Sequence, residues 1–397
     1  MKYASFPYRM LYSAPDVEYP GYHGGSTHVG EAVTSLSKMC DRIYLLCKLT
    51  AGQAFFEKQE KITIFRVWIP EVPVVRTIAY FAYSFFLSFF LCLIGRINVV
   101  YERARLFGGG GVMGSSLFFV PSVYEMIEPY VDIPVVLGQI SEGSAVHGLL
   151  KSWHSLLVEK AEMVTVTHTS FLRSVPREKA VFVHTGVDVK KFRPGKGWKE
   201  LVKEYSLTKG KTLLYVGSFT EWHSCLTIIR AVAAVIKKDK KVHLLMVGEG
   251  KQQLACMRLV KDLKLEKNVH FVGKVDFEDV PLVVNTADVC LALFDRMYPP
   301  FRKLDYYYST IKIHEYKACG KPVIASSMGV LKQLVKKNQG LLVNEQKVGE
   351  VAKAMLILMK NKKLREKMGK NAREDVVKHY TWDFMNRKIL EELTRRL

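Results

Sequence analysis

The feature that most constrains the fold is a repeated alternation of short apolar runs with loops and helical patterns. In the second half of the chain, each apolar run leads into a glycine or polar loop, and the runs span 212–216, 242–247, 269–272 and 289–293. The first half shows the same order, with apolar runs at 9–14, 42–47, 62–67 and 99–101. This alternation predicts an α/β protein with doubly wound sheets. A length of 397 residues is sufficient for two such domains.

One stretch in the second half links fold to chemistry. The sequence from Ser309 to Val323 predicts a loop, a short helix, a glycine cap and a buried strand. The beginning of a helix presents free backbone N–H groups that favour anions, and Lys312 adds a positive charge in the first turn. Glu315 follows three residues later and can face the same ligand. A cation for phosphate and a carboxylate for hydroxyls fit a sugar nucleotide, and a solvated Lys–Glu pair on a surface helix is the alternative.

The same stretch resembles the donor-site motif of retaining glycosyltransferases of family 4. It follows the version of the motif that has Ser-Pro-x-Lys-x-x-Glu-Tyr-x-Ala-x-Gly-x-Pro-Val, with Thr310 in place of the proline. Tyr307 stands where the other version of the motif has a first glutamate. The resemblance implies the GT-B fold, in which two Rossmann-like doubly wound domains face each other across a cleft. It also implies a donor nucleotide in the second domain and an acceptor in the first.

The resemblance assigns donor-binding roles along this stretch. Glu315 would hold the ribose hydroxyls, whereas Lys312 and the backbone of Ser309, Thr310 and Ile311 would hold the diphosphate or the sugar. A second element, His184 to Pro194, resembles the segment that ends the first domain of the family. We therefore expect an acceptor domain over 1–190, a donor domain over 191–375, and a C-terminal helix over 376–397 that crosses back to the first domain.

Further donor positions follow from loops after predicted strands. The family places a Gly-Gly loop near the donor phosphates, and Gly24 and Gly25 match it. In the second domain the candidates are Gly217, Ser218, His223, Gly273 and Lys274. The family has arginine and lysine where Ser218 and His223 stand here, which shifts the binding of phosphate towards Lys312. His223 is a candidate phosphate ligand, and a helix-capping histidine is the alternative.

The acceptor side has three candidates, all at the carboxyl ends of predicted strands. Glu102 and Arg103 follow the run at 99–101, and Glu125 follows the run at 121–124. By resemblance, Glu125 faces the acceptor, which makes it a candidate catalytic residue together with Lys312 and Glu315. The strand-like segment 133–137 is an alternative equivalent of the 121–124 run, and a structural ion pair is the alternative role for Arg103.

Charge and cysteine content limit the class of protein. The net charge is +21, yet no run of five basic residues and no zinc-finger spacing is present, so we expect no nucleic-acid partner. An anionic membrane surface or a phosphorylated substrate explains this charge better. The seven scattered cysteines predict buried free thiols in a cytoplasmic protein. The chain has no Asp-x-Asp motif, so we expect neither a catalytic metal nor another cofactor.

Segment 77–95 is uncharged, contains five phenylalanines, and is flanked by Arg76 and Arg96. Its length approaches that of a membrane span, but it lies where a crossover helix between two strands is expected. A transmembrane helix, a helix packed on the sheet with its outer face in lipid, and a fully buried helix are the three alternatives. Phe81, Phe85 and Phe89 share one helical line and are the first candidates for an outward face. The resulting prediction is a peripheral enzyme at the inner face of the cell membrane.

The resemblance therefore implies a retaining hexosyltransferase that uses a nucleotide sugar, and we expect a glycan or glycolipid acceptor. One alternative is a GT-B epimerase that acts on a free sugar nucleotide. The other is a non-catalytic basic protein that binds membranes or nucleic acid, because the family arginine and the first glutamate are absent. Product analysis distinguishes the transferase from the epimerase, and nucleotide binding distinguishes it from the non-catalytic protein.

Overall fold

The computed structural model describes residues 5–21, 24–207 and 211–397, which form two compact units. Unit 1 comprises the chain up to Gly186 together with Tyr307–Ser309 and Trp382–Leu397. Unit 2 comprises Val187–Tyr306 and Thr310–Thr381. The change of unit after Gly186 lies near the domain boundary that the sequence predicts after residue 190.

Unit 1 is built on an eight-stranded sheet in which seven strands run parallel. The order is β3-β4-β2-β1-β5-β6-β7-β8, and only the edge strand β3 pairs antiparallel, with β4. The strands are β1 Phe6–Glu18, β2 Cys40–Lys48, β3 Phe56–Lys58, β4 Ile62–Val67, β5 Val99–Arg103, β6 Ser122–Glu125, β7 Met163–Val166 and β8 Ala180–Phe182. The central strands are buried on both faces, as parallel strands covered by helices are.

Helices connect these strands as parallel crossovers require. They are α1 Gly24–Met39, α2 Pro73–Leu93, α3 Gly110–Ser116, α4 Ile133–Val136 and α5 Ala145–Lys160, with a 3₁₀ turn at Thr169–Arg173. Segment 133–137, interpreted above as strand-like, forms the helix α4 instead. Pro134 occupies the first turn of α4, where a proline is tolerated because its missing N–H has no intrahelical partner. Glu125 therefore keeps its place at the end of a sheet strand.

Unit 2 repeats the architecture with six parallel strands in the order β11-β10-β9-β12-β13-β14. The strands are β9 Thr212–Val216, β10 His243–Val247, β11 Val269–Gly273, β12 Val289–Ala292, β13 Val323–Ser326 and β14 Gly340–Val343. The helices are α6 Lys199–Glu204, α7 Cys225–Ile236, α8 Gln253–Asp262, α9 Val280–Thr286, α10 Pro299–Leu304, α11 Ile311–Ala318, α12 Leu331–Leu334, α13 Val348–Lys360 and α14 Lys362–His379. Both units are thus doubly wound α/β folds, as predicted.

The last helix, α15 Trp382–Arg396, belongs to unit 1 and packs against α1. Its buried face includes Trp382, Met385, Ile389 and Leu393, which recur at helical spacing. Asn386 on the same face donates a hydrogen bond of 3.0 Å to the carbonyl of Ala32. The chain therefore completes its first unit with its final residues.

Helix α2 exposes many of its apolar side chains to solvent and buries two serines, together with Leu91 and Cys92 near its end. Ser84 and Ser88 are buried, with a hydrogen bond of 2.8 Å between the hydroxyls of Ser84 and Ser13. Ser88 donates to the carbonyl of Gly111 at 3.0 Å. Phe86 and Phe90 are 57% and 56% exposed. The other three phenylalanines are half-buried and pack against neighbouring rings: Phe81, Phe85 and Phe89. The outward line is therefore Phe86–Phe90, which corrects the choice of the other three phenylalanines.

Glycines in α3 explain how α2 packs so closely. A Cβ at Gly110 would collide with the backbone of Phe81 and Phe85, and one at Gly114 would collide with the carbonyl of Phe85. Small residues at a helix interface let two backbones approach each other, an arrangement that is common between membrane helices. The glycines at the start of α3 thus serve close helix packing.

Candidate functional site

The donor motif in unit 2 forms the local structure that its sequence predicts. Thr310 precedes α11 in an extended conformation, and no side chain caps the helix. Gly320 ends the helix with a φ of +69°, a left-handed conformation that glycine adopts without steric cost. Strand β13 follows at once and pairs in parallel with β12 and with the edge strand β14. The amide of Ile313 donates a hydrogen bond of 3.2 Å to the carbonyl of Thr310. The amides of Ile311 and Lys312 in the first turn of α11 thus remain available to an anion.

Lys312 lies in an aromatic and largely buried environment. Its Nζ is 3.4 Å from Nε2 of His223, 4.7 Å from the ring centre of Tyr215 and 5.5 Å from that of Phe294. Burial lowers the pKa of Lys312 to about 8. The ammonium is therefore desolvated and has no carboxylate in a salt bridge within the described ranges, so a phosphate group would be a better partner than the imidazole.

His223 supports this arrangement as a neutral side chain. Burial, followed by the positive charge of Lys312, lowers the pKa of His223 well below its ordinary value. Its Nδ1 is 2.9 Å from the hydroxyl of Thr220, and its Nε2 faces Lys312. A neutral imidazole of this kind accepts a hydrogen bond from the ammonium and fixes its direction. Direct contact of His223 with phosphate remains a prediction.

The lowered pKa of Lys312 predicts how donor affinity changes with pH. Only the protonated ammonium attracts a diphosphate, and this form is lost as the pH rises through about 8. We expect the affinity for a nucleoside diphosphate to fall by about tenfold between pH 7 and pH 9. Calorimetric titration at several pH values measures this change. The Lys312→Ala variant provides the control, and a profile for the native protein as flat as that of the variant would contradict the assignment.

Glu315 and Gly217 complete the candidate donor site. Glu315 is 7% exposed on α11, one turn beyond Lys312. Gly217 follows β9 with a φ of +146°, and a Cβ at this position would collide with Nζ of Lys312. The carbonyl of the adjacent Ser218 accepts a hydrogen bond of 2.7 Å from Tyr215, so it fixes the loop. A residue larger than glycine at 217 would therefore displace the lysine.

The structure places the remaining donor candidates in two other surroundings. Ser309 and Thr185 both belong to unit 1, and the hydroxyl of Ser309 accepts a hydrogen bond of 2.9 Å from the amide of Thr185, so this side chain has a structural partner. Ile311 begins α11. Gly273 and Lys274 lie at the end of the edge strand β11, which β10 separates from β9. Lys274 is exposed there, at the same edge of the parallel sheet as Gly217.

Glu125 in unit 1 is a buried, ionised carboxylate. Its Oε1 is 2.9 Å from Nε2 of His28 and accepts a bond of 3.0 Å from Tyr101, while Oε2 accepts one of 3.4 Å from Tyr12. Burial alone would raise the pKa of Glu125, but the neighbouring His28, Arg103 and Tyr101 lower it to about 2. A carboxylate with so low a pKa is a weak base at neutral pH. It is better suited to orienting the imidazole of His28.

His28 and Glu125 line a small cavity within unit 1, together with Tyr101, Thr165, Trp382 and Asn386. The imidazole of His28 meets the indole of Trp382 edge to face, with ring centres 4.9 Å apart. Several hydroxyl and amide groups therefore surround one imidazole in a confined space. The Gly-Gly match drew attention to the loop before His28, whereas the tyrosines and Trp382 gave no signal in the sequence.

Glu102 has a structural role at the same sheet edge. Its carboxylate accepts hydrogen bonds from the amides of Gly109 at 3.2 Å and Val112 at 2.8 Å, at the beginning of α3. Burial raises the pKa of Glu102 to about 7, although these amides partly offset the effect. Both oxygens are thus used to cap α3. The geometry favours this role over a contact with the acceptor.

Arg103 extends from β5 towards the Gly-Gly loop at the beginning of α1. Its guanidinium donates a hydrogen bond of 3.4 Å to the carbonyl of Gly25, and a Cβ on Gly25 would lie 3.7 Å from the guanidinium. Gly24 is exposed, and a Cβ there would meet no atom within 4 Å among the described residues. The structure therefore brings Gly25 next to Arg103.

Within the described ranges, no group of three or more His, Cys, Asp and Glu side chains is arranged to hold a metal ion. The seven cysteines are buried free thiols in the same ranges. The expectation of a reaction without metal or cofactor stays a prediction.

Comparisons with known proteins agree with this architecture. The family model described as glycosyl transferases group 1 matches residues 198–375. The N-acetyl-alpha-D-glucosaminyl L-malate synthase of Bacillus anthracis is 26% identical over 56% of this chain and 57% of its own length. A GDP-mannose-dependent monoacylated alpha-(1-6)-phosphatidylinositol monomannoside mannosyltransferase of Corynebacterium glutamicum is 28% identical over 52% of this chain and 53% of its own length. These matches thus span little more than half of either relative.

A solved structure extends the similarity to the whole fold. The sucrose-phosphate synthase of Thermosynechococcus elongatus superimposes with a TM-score of 0.71 at 22% identity, and the match covers 98% of both chains. At 22% identity, this structural similarity supports the fold alone. Residues 198–375 therefore match a glycosyl transferases group 1 domain, and the chain has the GT-B fold of its structural neighbours.

Proposed function

We propose that the protein transfers a hexosyl group from a nucleotide diphosphate sugar to a hydroxyl of a lipid-linked or membrane-held glycan, with retention of configuration. The observation that carries the proposal is the position of Lys312, whose ammonium lies beside Gly217 and His223 in the first turn of α11. Glu315 follows one turn later as a nearly buried carboxylate. A nucleotide sugar offers a diphosphate to the first group and ribose hydroxyls to the second. The corynebacterial relative, whose name specifies GDP-mannose and a phosphatidylinositol monomannoside, supports this assignment.

The proposed reaction breaks the bond between the sugar carbon and the diphosphate oxygen and forms a bond from that carbon to the acceptor oxygen. The acceptor hydroxyl loses its proton to the departing diphosphate on the same face of the sugar. Lys312 and the amides of α11 stabilise the negative charge that develops on the diphosphate. Burial alone would raise the pKa of Glu125, but its neighbours lower it to about 2. The ionised carboxylate therefore orients His28 towards the acceptor and does not accept the proton. The reaction uses no metal ion.

Donor binding tests this proposal most simply. We expect the native protein to bind at least one of UDP-glucose, UDP-N-acetylglucosamine and GDP-mannose in calorimetric titrations. The relatives motivate the panel, since their names include N-acetylglucosaminyl transfer and GDP-mannose dependence. Binding of none of these sugars, or of their nucleoside diphosphates, would oppose the proposal and favour a non-catalytic protein.

Glu315→Gln should weaken binding of the nucleoside diphosphate by roughly 1.5–3 kcal/mol, because a neutral amide replaces charge-assisted hydrogen bonds to the ribose. Calorimetry with the native protein and the variant measures the difference. Glu366→Gln is the control, since Glu366 is exposed on α14 in the same unit. Equal affinity of the native protein and a folded Glu315→Gln variant would remove Glu315 from the donor site.

The membrane part of the proposal depends on the outward face of α2. Within the described ranges, α2 is the one helix long and apolar enough to cross a membrane, although only 17% of its most apolar 18-residue window is buried. The flanking strands β4 and β5 belong to one parallel sheet, and α2 packs on α3, so a membrane-spanning α2 would disrupt unit 1. The exposed face instead suits a helix that lies in the plane of the membrane surface.

Neighbouring segments enlarge this apolar surface. Phe119, in the loop after α3, is 96% exposed, and Trp68, between β4 and α2, is 63% exposed. The basic residue Arg96 is exposed at the end of α2. Basic residues near anionic lipid contribute about 1 kcal/mol each, and the chain has a net charge of +21. We therefore propose peripheral attachment to the inner, cytoplasmic face of the cell membrane, where a lipid-linked acceptor is accessible.

A further inference from the structure

The positive charge of the chain is concentrated in unit 2. Unit 2 contains 38 lysine and arginine residues and 20 aspartate and glutamate residues, which gives it a net charge of +18. Unit 1, which contains α2, has 21 basic and 18 acidic residues and thus a net charge of only +3. The charge that attracts the protein to an anionic membrane therefore lies mostly outside the unit that contains the apolar helix.

Two neighbouring segments of unit 2 form a basic edge at one end of its sheet. These segments, 237–241 and 261–267, contain seven lysines and three acidic residues. The first follows α7 and precedes β10, and the second includes the end of α8 and precedes β11. Asn268 joins them, because its side-chain amide donates hydrogen bonds of 3.0 and 2.8 Å to the carbonyls of Lys240 and Val242. Since β10 and β11 are parallel neighbours, both segments lie at the amino ends of the strands.

The seven lysines of the basic edge are exposed, and none of them forms a salt bridge within the described ranges. Asp239, the acidic residue of the first segment, pairs with Lys211 instead. A lysine at the carboxyl end of a helix offsets the helix dipole, which explains Lys237 at the C-cap of α7 and Lys261 in the last turn of α8. The other five lysines lie beyond these helix ends. The edge therefore presents a positive surface to solvent that helix stability does not require.

The donor site does not explain this surface, because the basic edge lies at the opposite end of the strands. Gly217 and His223 follow the carboxyl end of β9, whose five residues span about 16 Å. His243 at the beginning of β10 pairs with Thr212 at the beginning of β9, so both strands begin at the same edge. A lysine side chain does not bridge the length of a strand. A diphosphate bound at Lys312 is therefore out of reach of the basic edge.

We propose that the basic edge of unit 2 binds the headgroups of anionic lipids and supplies the salt-sensitive part of membrane attachment. The inference rests on the proposed function and names the surface of unit 2 that serves it. Lysines are attracted to an anionic lipid surface through their charge, without a fixed contact geometry. Nucleic-acid recognition relies instead on arginine and on aromatic stacking, and segments 237–241 and 261–267 contain neither arginine nor an aromatic residue. The composition of the edge therefore favours lipid.

The experiment measures sedimentation with vesicles of equal parts phosphatidylglycerol and phosphatidylcholine, and with vesicles of phosphatidylcholine alone as the reference. Lys240→Gln with Lys267→Gln should weaken binding to the anionic vesicles at low salt by at least about tenfold, because two basic residues leave the lipid surface. Lys251→Gln with Lys347→Gln is the matched control, since both are exposed lysines of unit 2 that follow the carboxyl ends of β10 and β14. This control loses the same charge and should bind nearly as the native protein does.

Salt separates the contribution of the basic edge from that of α2. Added salt screens the lysines but not the apolar contact of the phenylalanines. We therefore expect binding of the Lys240, Lys267 variant to fall less steeply with salt than binding of the native protein. A variant with Phe86→Ser and Phe90→Ser should bind more weakly at every salt concentration and keep the native salt dependence.

Binding of the nucleoside diphosphate separates this inference from the proposed transfer, and we expect the Lys240, Lys267 variant to retain it. Equal sedimentation of this variant and the native protein, an equal loss in the control, or a native protein that does not bind anionic vesicles would overturn the inference and leave the donor site intact. Binding of random-sequence DNA in place of vesicles, lost in the variant, would assign the edge to nucleic acid and also overturn it. Loss of nucleoside diphosphate binding in a folded variant would do the same, because the lysines would then serve the donor.

Discussion

Replacing Lys312 by alanine is expected to slow nucleotide-sugar turnover by about 100-fold or more, the usual effect of removing one preorganised group that stabilises developing charge. The buried Nζ of Lys312 lies beside Gly217, and Lys312 belongs to the first turn of α11. The departing diphosphate gains charge as the glycosidic bond breaks, so the loss in turnover should exceed the loss in ground-state binding of the donor. Binding of the nucleoside, which lacks phosphate, should remain within about twofold of the native protein. Turnover and nucleoside titration measure the two effects.

Lys353→Ala provides the matched control for this variant. Lys353 is an exposed lysine on α13 of the same unit, and its removal should leave turnover unchanged. An equal loss of nucleoside binding and turnover in Lys312→Ala would show that the lysine acts through the structure of the loop. That outcome would contradict its assignment to the diphosphate.

Replacing Phe86 and Phe90 together by serine is expected to reduce sedimentation with anionic liposomes by at least about tenfold. Each outward phenylalanine contributes roughly 1.5–3 kcal/mol when its ring leaves water for lipid. Both rings are more than half exposed, so the unfolding temperature should change little. The assay uses vesicles of phosphatidylglycerol and phosphatidylcholine. High salt should weaken the binding of the native protein, because it screens the charges.

Leu254→Ser with Met257→Ser is the matched control, since these residues are exposed apolar side chains of α8 in unit 2. This control should sediment as the native protein does. If the native protein does not sediment with anionic liposomes at low salt, the membrane proposal is wrong. Equal sedimentation of the native protein and the Phe86, Phe90 double variant would show that α2 is not the attachment surface.

The sequence predicted the donor helix well because its determinants are local. Capping by Gly320, the strand from Val323 and the positions of Lys312 and Glu315 all follow from neighbouring residues. The environment of Lys312 could not be predicted in this way. Tyr215 and Phe294 come from β9 and from the end of β12, and only the folded sheet brings their rings to the lysine.

The first unit shows where sequence periodicity is insufficient. The helical spacing of Ser84 and Ser88 indicates one polar stripe on α2 but does not say which way it faces. The glycines of α3 decide this, since only small residues fit between the two backbones. Similarly, the position of Glu102 at a strand end suggested a ligand site. The amides of Gly109 and Val112 at the beginning of α3 use both oxygens of the Glu102 carboxylate.

The most direct test of the central claim is transfer itself. The purified protein is incubated in EDTA with a nucleotide sugar that it binds and with liposomes that contain an extracted glycolipid fraction, and both products are measured. We predict release of nucleoside diphosphate in a one-to-one ratio to sugar attached to lipid, with the anomeric configuration of the donor retained. Conversion of the nucleotide sugar to an isomer without release of nucleoside diphosphate, or bound donor that is never consumed, would contradict the claim.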